Sequence, residues 1–489
     1  VPASPTPQTN APTTAAGTLA YLAQAALAKG SSISYEGIGG GTLLSALPNP
    51  ADHAFILDDQ TTFPTSLAAQ LGAQGITPPG ELAAPDAAHA PDVARISAFT
   101  QAYLRVILPQ LKATSTPFLS IIREPEPVTS ATLGGIGSVS FTAALRANDD
   151  ALGQLISGLS DAGLADKVNL VVTSDHGIAD VVPPDQTSAS QVTYPAPNNA
   201  LRTDLGNILA GLAQAGPLGA LPDVGKSGVA RGASASTKQT TVVVTPQGGN
   251  DALTLAPSDL VLKAGQGDAT RGKKVVTQEL VRALQGLPQV GPIFVNDALD
   301  VPEGALPLTQ LGPLGPQSPD VLVGFVTFAH DIGQRGVNTV QLAGSEYADT
   351  AGIAAWGAFG RRDIHCILYL SGPNFKGGDN YSDLAPTGFT DLAPTIETIM
   401  NFDAPAGQSG RVIAEALTTD ATTTAPAAPT LTSLAAKATA SSGASYIQVV
   451  TFEHFAGYSY LHGAYALRAQ GAQNLDDLVT QATALANGE

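Results

Sequence analysis

The chain is poor in sulfur and in charge. Its 489 residues include one cysteine, one methionine and one tryptophan. A single cysteine excludes an internal disulfide framework and a cysteine-based zinc site. Charged residues make up 13%, against about a quarter in typical soluble proteins. The surface must therefore be built largely from Thr, Ser, Asn, Gln and Gly. Basic residues are the scarcer sign: 23 Lys and Arg against 41 Asp and Glu, a formal net charge of −18. Without a Lys/Arg run there is no electrostatic footprint for nucleic acid, and none for an anionic membrane surface. No stretch approaches about 20 consecutive apolar residues, so no membrane-spanning helix is expected. What is present is length for roughly three domain-sized units. The 44% apolar content excludes low-complexity disorder throughout.

The methionine is internal, Met400, and the chain begins Val1-Pro2 with neither a basic n-region nor an apolar h-region. This start, the run VPASPTPQTNAPTT, the low lysine and the high Thr/Ser content lead to the expectation of an exported protein. It would be periplasmic, cell-surface or extracellular, with its leader removed.

Residues 1–15 read as an extended arm. From Thr18 the pattern predicts a helix ended by Gly30, a strand SSISYEG, and a Gly-rich turn from Gly37 to Gly41 that lacks the spacing of a phosphate loop. Helices are expected around Pro64–Gly72 and Asp92–Ala113, a strand at PFLSIIRE, and an amphipathic helix over 141–163. VNLVVTSD (168–175) is a continuous apolar run of the kind buried on both faces of a parallel sheet. The alternation predicts an α/β fold with a central, mainly parallel sheet flanked by helices. Residues 191–344, richer in Gly, Pro and β pattern, read as a large inserted cap. The core is expected at 16–190 and 345–417. Residues 418–489 read as a linker and a small C-terminal extension with one strand, YIQVVTFEHF, and a helix near Leu475–Ala486.

The sharpest local feature is Ser174-Asp175-His176-Gly177 at the end of the strand VNLVVTSD. Ligands of open α/β sheets gather at strand carboxyl ends. An adjacent Asp and His there can both ligate one divalent metal; equally, Asp175 can cap the following segment beside an ordinary histidine. His53 and His89 read as surface residues, His330 as a loop residue, and His365 and His462 as packed or structural. Cys366, on an apolar strand, reads as a buried, inert thiol.

The order strand, loop, helix with Asp149-Asp150, strand and SDHG resembles the alkaline phosphatase superfamily, in its phosphodiesterase/nucleotide pyrophosphatase and sulfatase-like branch. PFLSIIREPEP is similar to that family's "REPDP" strand, and FTAALRANDDALGQLISGL to the helix after it. VGPIFVND, LPLTQLG, SPDVLVGF and GSE resemble pieces of its cap. AWGAFGRRDIHCILYLSGPNFKGG, DLAPTIETIMNF and GRVIAEAL resemble its closing segments. The likeness spans most of residues 15–420.

The resemblance implies hydrolysis of phosphate or sulfate esters by two metals and a Thr or Ser nucleophile. Carried over by position, Asp175 and His176 match metal ligands. The family's Asp falls on Glu126, which is one methylene longer. Its next His falls on or near Ser130, and its late His falls on Trp356, whose ring offers an N–H but no lone pair. The likeness begins with the helix at Thr18, and the family's opening strand with its Asp and its nucleophile have no counterpart before that point; Thr13-Thr14 is a weak candidate nucleophile with no apolar strand ending in Asp ahead of it, and the C-terminal strand carrying Glu453-His454 is a weaker candidate to replace the strand. The expectation is an α/β protein with a decayed metal centre: Asp175, His176 and Glu126 vestigial, Ser130 and Trp356 marking lost ligands. No cofactor is expected, and the role is that of a non-catalytic binding or assembly subunit. The alternative is a zinc- or other divalent-metal-dependent phosphodiesterase, phosphatase or sulfatase-type hydrolase completed by a separate N-terminal chain. A sheet lacking its first strand is expected to be covered by self-association or by a partner chain.

Overall fold

A computed structural model describes residues 19–37, 43–45, 47, 53–83, 90–182, 201–215, 228–231, 240–331, 337–342, 354–377, 382–403, 408–419, 428–469 and scattered positions between 477 and 484. The expected N-terminal arm, the Gly-rich turn beyond Gly37, His89 and most of the final helix lie outside these residues. The chain divides into two compact units. One comprises residues 1–173 and 367–428, the other residues 174–366 and 429–489.

In the first unit, helix Leu19–Ala28 ends where Gly30 turns to φ +75, and the Ser31 N–H donates back to the Ala26 carbonyl (2.9 Å). Glycine adopts this left-handed conformation without a Cβ penalty. Strands β1 (Ser32–Gly37), β2 (Ala54–Leu57), β3 (Thr62–Phe63) and β4 (Phe118–Arg123) form a sheet in the order β3-β2-β1-β4. β1 runs parallel to β2 and β4, and β3 returns antiparallel as a hairpin. β1 is buried along its whole length, whereas β4 is half-buried and carries no further strand on its outer side among the described residues.

The helical layer packs Leu67, Leu71, Phe99, Ile107 and Leu111 into one fully buried cluster. Each such side chain contributes roughly 1.5–3 kcal/mol by leaving water. Asp92 caps the helix that begins at Val93 by accepting the Arg95 N–H (3.1 Å). That helix passes through a π turn, Tyr103–Ile107, directly before Pro109. Proline has no N–H, and its ring clashes with the carbonyl four residues earlier. A locally widened turn is the way a helix continues past that obstacle. Helix Val139–Asp161 starts at Ser138, whose hydroxyl accepts the Phe141 N–H (3.1 Å).

The central sheet is narrower than the sequence pattern suggests. VNLVVTSD forms β5 (Leu170–Thr173), but β5 pairs antiparallel with Leu368–Ser371 in a separate two-stranded sheet. Its residues are half-buried or exposed, not covered on both faces. An apolar run specifies a strand; its burial depends on neighbours from remote parts of the chain.

The second unit is built on a six-stranded sheet in the order Leu306–Pro307, Val290–Val295, Val321–Phe325, Asn250–Leu255, Thr240–Pro246, Gly228–Arg231. Helices Leu201–Ala215 and Ala269–Leu284 pack on it through Leu205, Leu209, Val276 and Leu280, all fully buried. A second sheet contains Thr327–Asp331, Val337–Leu342, Ala179–Val182 and Ala354–Ala355. His330 thus lies in a strand rather than a loop.

Where the sequence suggested one C-terminal strand there are three: Thr430–Thr439, Ser445–Phe455 and Tyr458–Ala469, paired antiparallel in that order. This sheet is fastened to strand Val290–Val295 by side chains acting as backbone. The Gln448 carboxamide accepts the Ile293 N–H (2.7 Å) and donates to the Ile293 carbonyl (3.0 Å). The Tyr446 hydroxyl donates to the Gly291 carbonyl (2.7 Å). Arg468 donates to the carbonyls of Gln285 (2.7 Å) and Val290 (2.6 Å). No helix among the described residues is long and apolar enough to cross a membrane.

Candidate functional site

Asp175 and His176 begin the second unit. The Ser174 hydroxyl donates to the His176 carbonyl (2.7 Å), and the Gly177 N–H donates to the Asp363 carbonyl (2.8 Å). These two bonds hold the motif as a tight turn. The His176 Nδ1–H donates to the Gly177 carbonyl (2.9 Å). Nε2 lies 3.5 Å from an Asp175 carboxylate oxygen. The spacing suits two donors converging on one ion, but both side chains are substantially solvated.

The Trp356 ring lies face to face with the His176 ring, centroids 5.4 Å apart and planes inclined by 22°. Its backbone is clamped by Gly248-Gly249: the Gly249 N–H donates to the Trp356 carbonyl (2.5 Å), and a Cβ on Gly249 would sit 2.1 Å from the Ala358 nitrogen. Only glycine permits this approach. The Asn250 carboxamide donates to the Gly357 carbonyl (2.6 Å). Pro246, Gln247, Asn250, Trp356 and Gly357 line a small cleft of about 360 Å³. Asp363, almost fully buried, has its carboxyl pushed up to about 7 by burial, opposed by the Gly360 N–H.

Glu126 and Ser130 belong to the first unit, Glu126 on the segment that links β4 to helix Val128–Gly134 and Ser130 in the first turn of that helix. Both are buried. One Glu126 oxygen accepts the Asp92 N–H (2.9 Å) and the Ser130 hydroxyl (3.1 Å), and the other accepts the Ser130 N–H (3.0 Å). Glu126 is therefore a cap that ties two helix starts together, and Ser130 is its donor. Asn148 adds a bond to the Glu126 carbonyl (2.8 Å).

Two carboxyls that sequence reasoning passed over lie nearby. Glu36, the penultimate residue of β1, is fully buried, and burial raises it well above the usual carboxylate range; the Ser34 hydroxyl opposes this and Glu124 adds to it. Glu124, at the end of β4, is pushed up to about 8, by burial first and then by the Asp92 charge. The one available signal was position: a Glu closing an otherwise apolar or hydroxylic strand, and a Glu inside REPEP. Among the other residues singled out, His53 is exposed, and His365 meets the edge of the buried His462 ring at 5.2 Å. Cys366 is exposed rather than buried; local desolvation and the Asp175 carboxylate both raise its thiol, which keeps it protonated.

The donor set does not fit the two-metal centre that the family resemblance implies. A catalytic zinc takes three protein ligands and an open position. Here Glu126 has both oxygens committed to protein donors, Ser130 supplies a hydroxyl that points to Glu126, and Trp356 has no lone pair to offer. Among the described residues no group of three or more His, Cys, Asp or Glu side chains is arranged to hold a metal.

Residues 76–230 match the family model for type I phosphodiesterase / nucleotide pyrophosphatase. That span includes the REPEP strand end, the following helix and the SDHG motif. Among solved structures the chain is similar to murine ectonucleotide pyrophosphatase / phosphodiesterase 5, with 12% identity and a TM-score of 0.40, covering 78% of this chain and 70% of that one. An inactive, point-substituted form of the same murine protein in complex with AMP matches with 12% identity, a TM-score of 0.38 and the same coverage. No curated protein sequence matches.

Proposed function

We propose, from the premise that residues 76–230 belong to the type I phosphodiesterase / nucleotide pyrophosphatase family of the alkaline phosphatase superfamily, that this chain is a non-catalytic member of it. Its metal centre has been rebuilt from protein contacts, and the chain serves as a binding or assembly subunit. The observation that carries this reading is the fate of the ligand positions. An indole stacked on His176 stands where the family resemblance requires an imidazole, and Glu126 with Ser130 forms a buried helix cap. Both changes produce satisfied, packed structure, as expected where ligand positions have been reused for stability. Fold retention without activity is physically unproblematic, because activity resides in the site. The composition supports an exported location, and the −18 charge opposes accumulation of phosphorylated or sulfated substrates.

The test is metal content after dialysis against zinc, together with turnover of a phosphodiester and a sulfate ester. The expected result is substoichiometric zinc and no turnover above background. Stoichiometric zinc with metal-dependent turnover that disappears in Asp175→Ala overturns the proposal.

One observation favours a second reading. Asp175 and His176 keep a carboxylate oxygen and an imidazole nitrogen 3.5 Å apart. A metal-dependent ester hydrolase completed by a separate N-terminal chain would use that pair. It requires activity to appear when a nucleophile-bearing chain is added and to vanish in His176→Ala.

A further inference from the structure

The two edges of the C-terminal three-stranded sheet differ. Strand Tyr458–Ala469 lies against Val290–Val295 and is fastened there by Arg468. Strand Thr430–Thr439 has no strand beyond it among the described residues, and eight of its ten residues are exposed. Its pairing with Ser445–Phe455 is continuous from Thr430–His454 to Thr439–Ser445, without a bulge. It contains no proline, and Lys437 is its one charged residue. Leu431 and Leu434 are 49% and 39% exposed. Natural sheet edges of this length are normally guarded by proline, charge, bulges or cover. Among the described residues this one has a single lysine and partial cover at one end, where Ala436 and Ala438 are half-buried and Ala438 lies against Gly304.

We propose that this edge pairs antiparallel with the same edge of a second copy, so that a six-stranded sheet runs through a two-fold dimer. A two-fold axis perpendicular to a sheet brings residues of like parity face to face, so one residue must face itself. Centring on Leu434 opposes Leu434 to its own copy, Thr432 to Ala436, Leu431 to Lys437 and Thr430 to Ala438. The nine paired residues extend about 30 Å. Leu434 is then covered by Leu434, and Leu431 by the aliphatic stem of Lys437.

Charge follows the same register. Within one chain Leu431 lies opposite Glu453. Lys437 of the second copy, Leu431 and Glu453 therefore form one row on one face, and the ammonium extends over Leu431 towards the Glu453 carboxylate about 10 Å away across two strand spacings. Centring on Lys437 instead would oppose two ammonium groups. The N-terminal arm is a poorer occupant, because Pro2, Pro5, Pro7 and Pro12 cannot donate to a ladder. An isologous contact of this kind closes on itself and gives a dimer, not a filament.

The test is sedimentation velocity and light scattering of the full chain over a concentration series, with amide exchange of residues 430–439. The expected species is twice 49.4 kDa, with those amides protected. Leu434→Glu places two carboxylates at the axis and weakens dimerisation by roughly tenfold or more, since like charges opposed across an interface cost several kcal/mol. The amides of 430–439 then exchange faster while the far-UV circular dichroism is unchanged. Lys437→Glu, at an exposed position, weakens the dimer as well by facing Glu453 with a like charge. A monomer at every concentration overturns the proposal, as does an assembly whose size and exchange pattern survive Leu434→Glu.

Discussion

Two sets of buried or half-buried carboxylates lie within the first unit, and they have opposite fates. Glu126 is surrounded by donors: two backbone N–H groups and a serine hydroxyl fill its oxygens. Glu36 and Glu124 are also shielded from water, but each has an oxygen with no hydrogen-bond partner among the described residues. Burial raises both, and Glu124 reaches about 8. The difference teaches that depth alone does not decide how a buried acid behaves. Donors stabilise the charged form, and an environment without them favours the neutral one.

The largest effect should come from breaking the satisfied side. Glu126→Ala leaves the Asp92 N–H, the Ser130 N–H and the Ser130 hydroxyl unpaired in a buried setting. Each orphaned group costs about 1–3 kcal/mol before relaxation. Urea unfolding should register a loss of about 3 kcal/mol overall, and Glu126→Gln, which keeps one acceptor oxygen, should lose less.

The unsatisfied side should respond in the other direction. A carboxyl raised in the folded state holds a proton that the unfolded chain has already released. Stability therefore falls as pH rises from the ordinary carboxylate range, and the Glu124 contribution to that fall is complete above about 8. Glu124→Gln removes the need to ionise or to hold that proton. Relative to wild type it should be stabilised by about 1–3 kcal/mol at pH 9 and be near neutral at pH 5. Equal stability of the two proteins at both pH values, measured by urea titration, would remove Glu124 from the contrast.

The smallest effect concerns the second unit. Trp356 is the only tryptophan in the chain, so its fluorescence reports the stack on His176 directly. An adjacent imidazole quenches indole emission, and His176→Ala should brighten it while costing about 1 kcal/mol or less. Unchanged emission would mean that the two rings are not stacked in solution.

Much of this was legible in the residues before any coordinates. The helices over 19–28 and 139–161, and strands β1 and β4, follow from local periodicity and caps that sit on the chain itself. Gly30 and Asp92 mark boundaries because their chemistry is local; the cap at Ser138 starts its helix two residues before the expected 141. The separation of β5 from the four-stranded sheet was not legible, because an apolar run reads the same beside one neighbour or two. The strand TLTSLAAKAT was missed for a related reason: it is exposed along nearly its whole length and shows no alternation to detect. In the candidate site, the family resemblance aligns Trp356 and Glu126 with ligand positions. It could not reveal that the indole lies on His176 or that Glu126 caps a helix, since both facts depend on tertiary contacts. The π turn had a local signal in Pro109, and the sequence pattern read through it as a regular helix.

The carboxamide of Gln448 and the backbone of Ile293 are 155 positions apart in the chain. At 5–20 residues per second, a ribosome needs on the order of ten to thirty seconds to bring one after the other. During that interval strand Val290–Val295 has been made, but the side chains that complete its hydrogen bonds have not. Until then the Ile293 N–H and carbonyl lack the partners that Gln448 supplies. A truncation after residue 428 would make that lack permanent, so such fragments should be recovered as aggregates and not as a shortened soluble form.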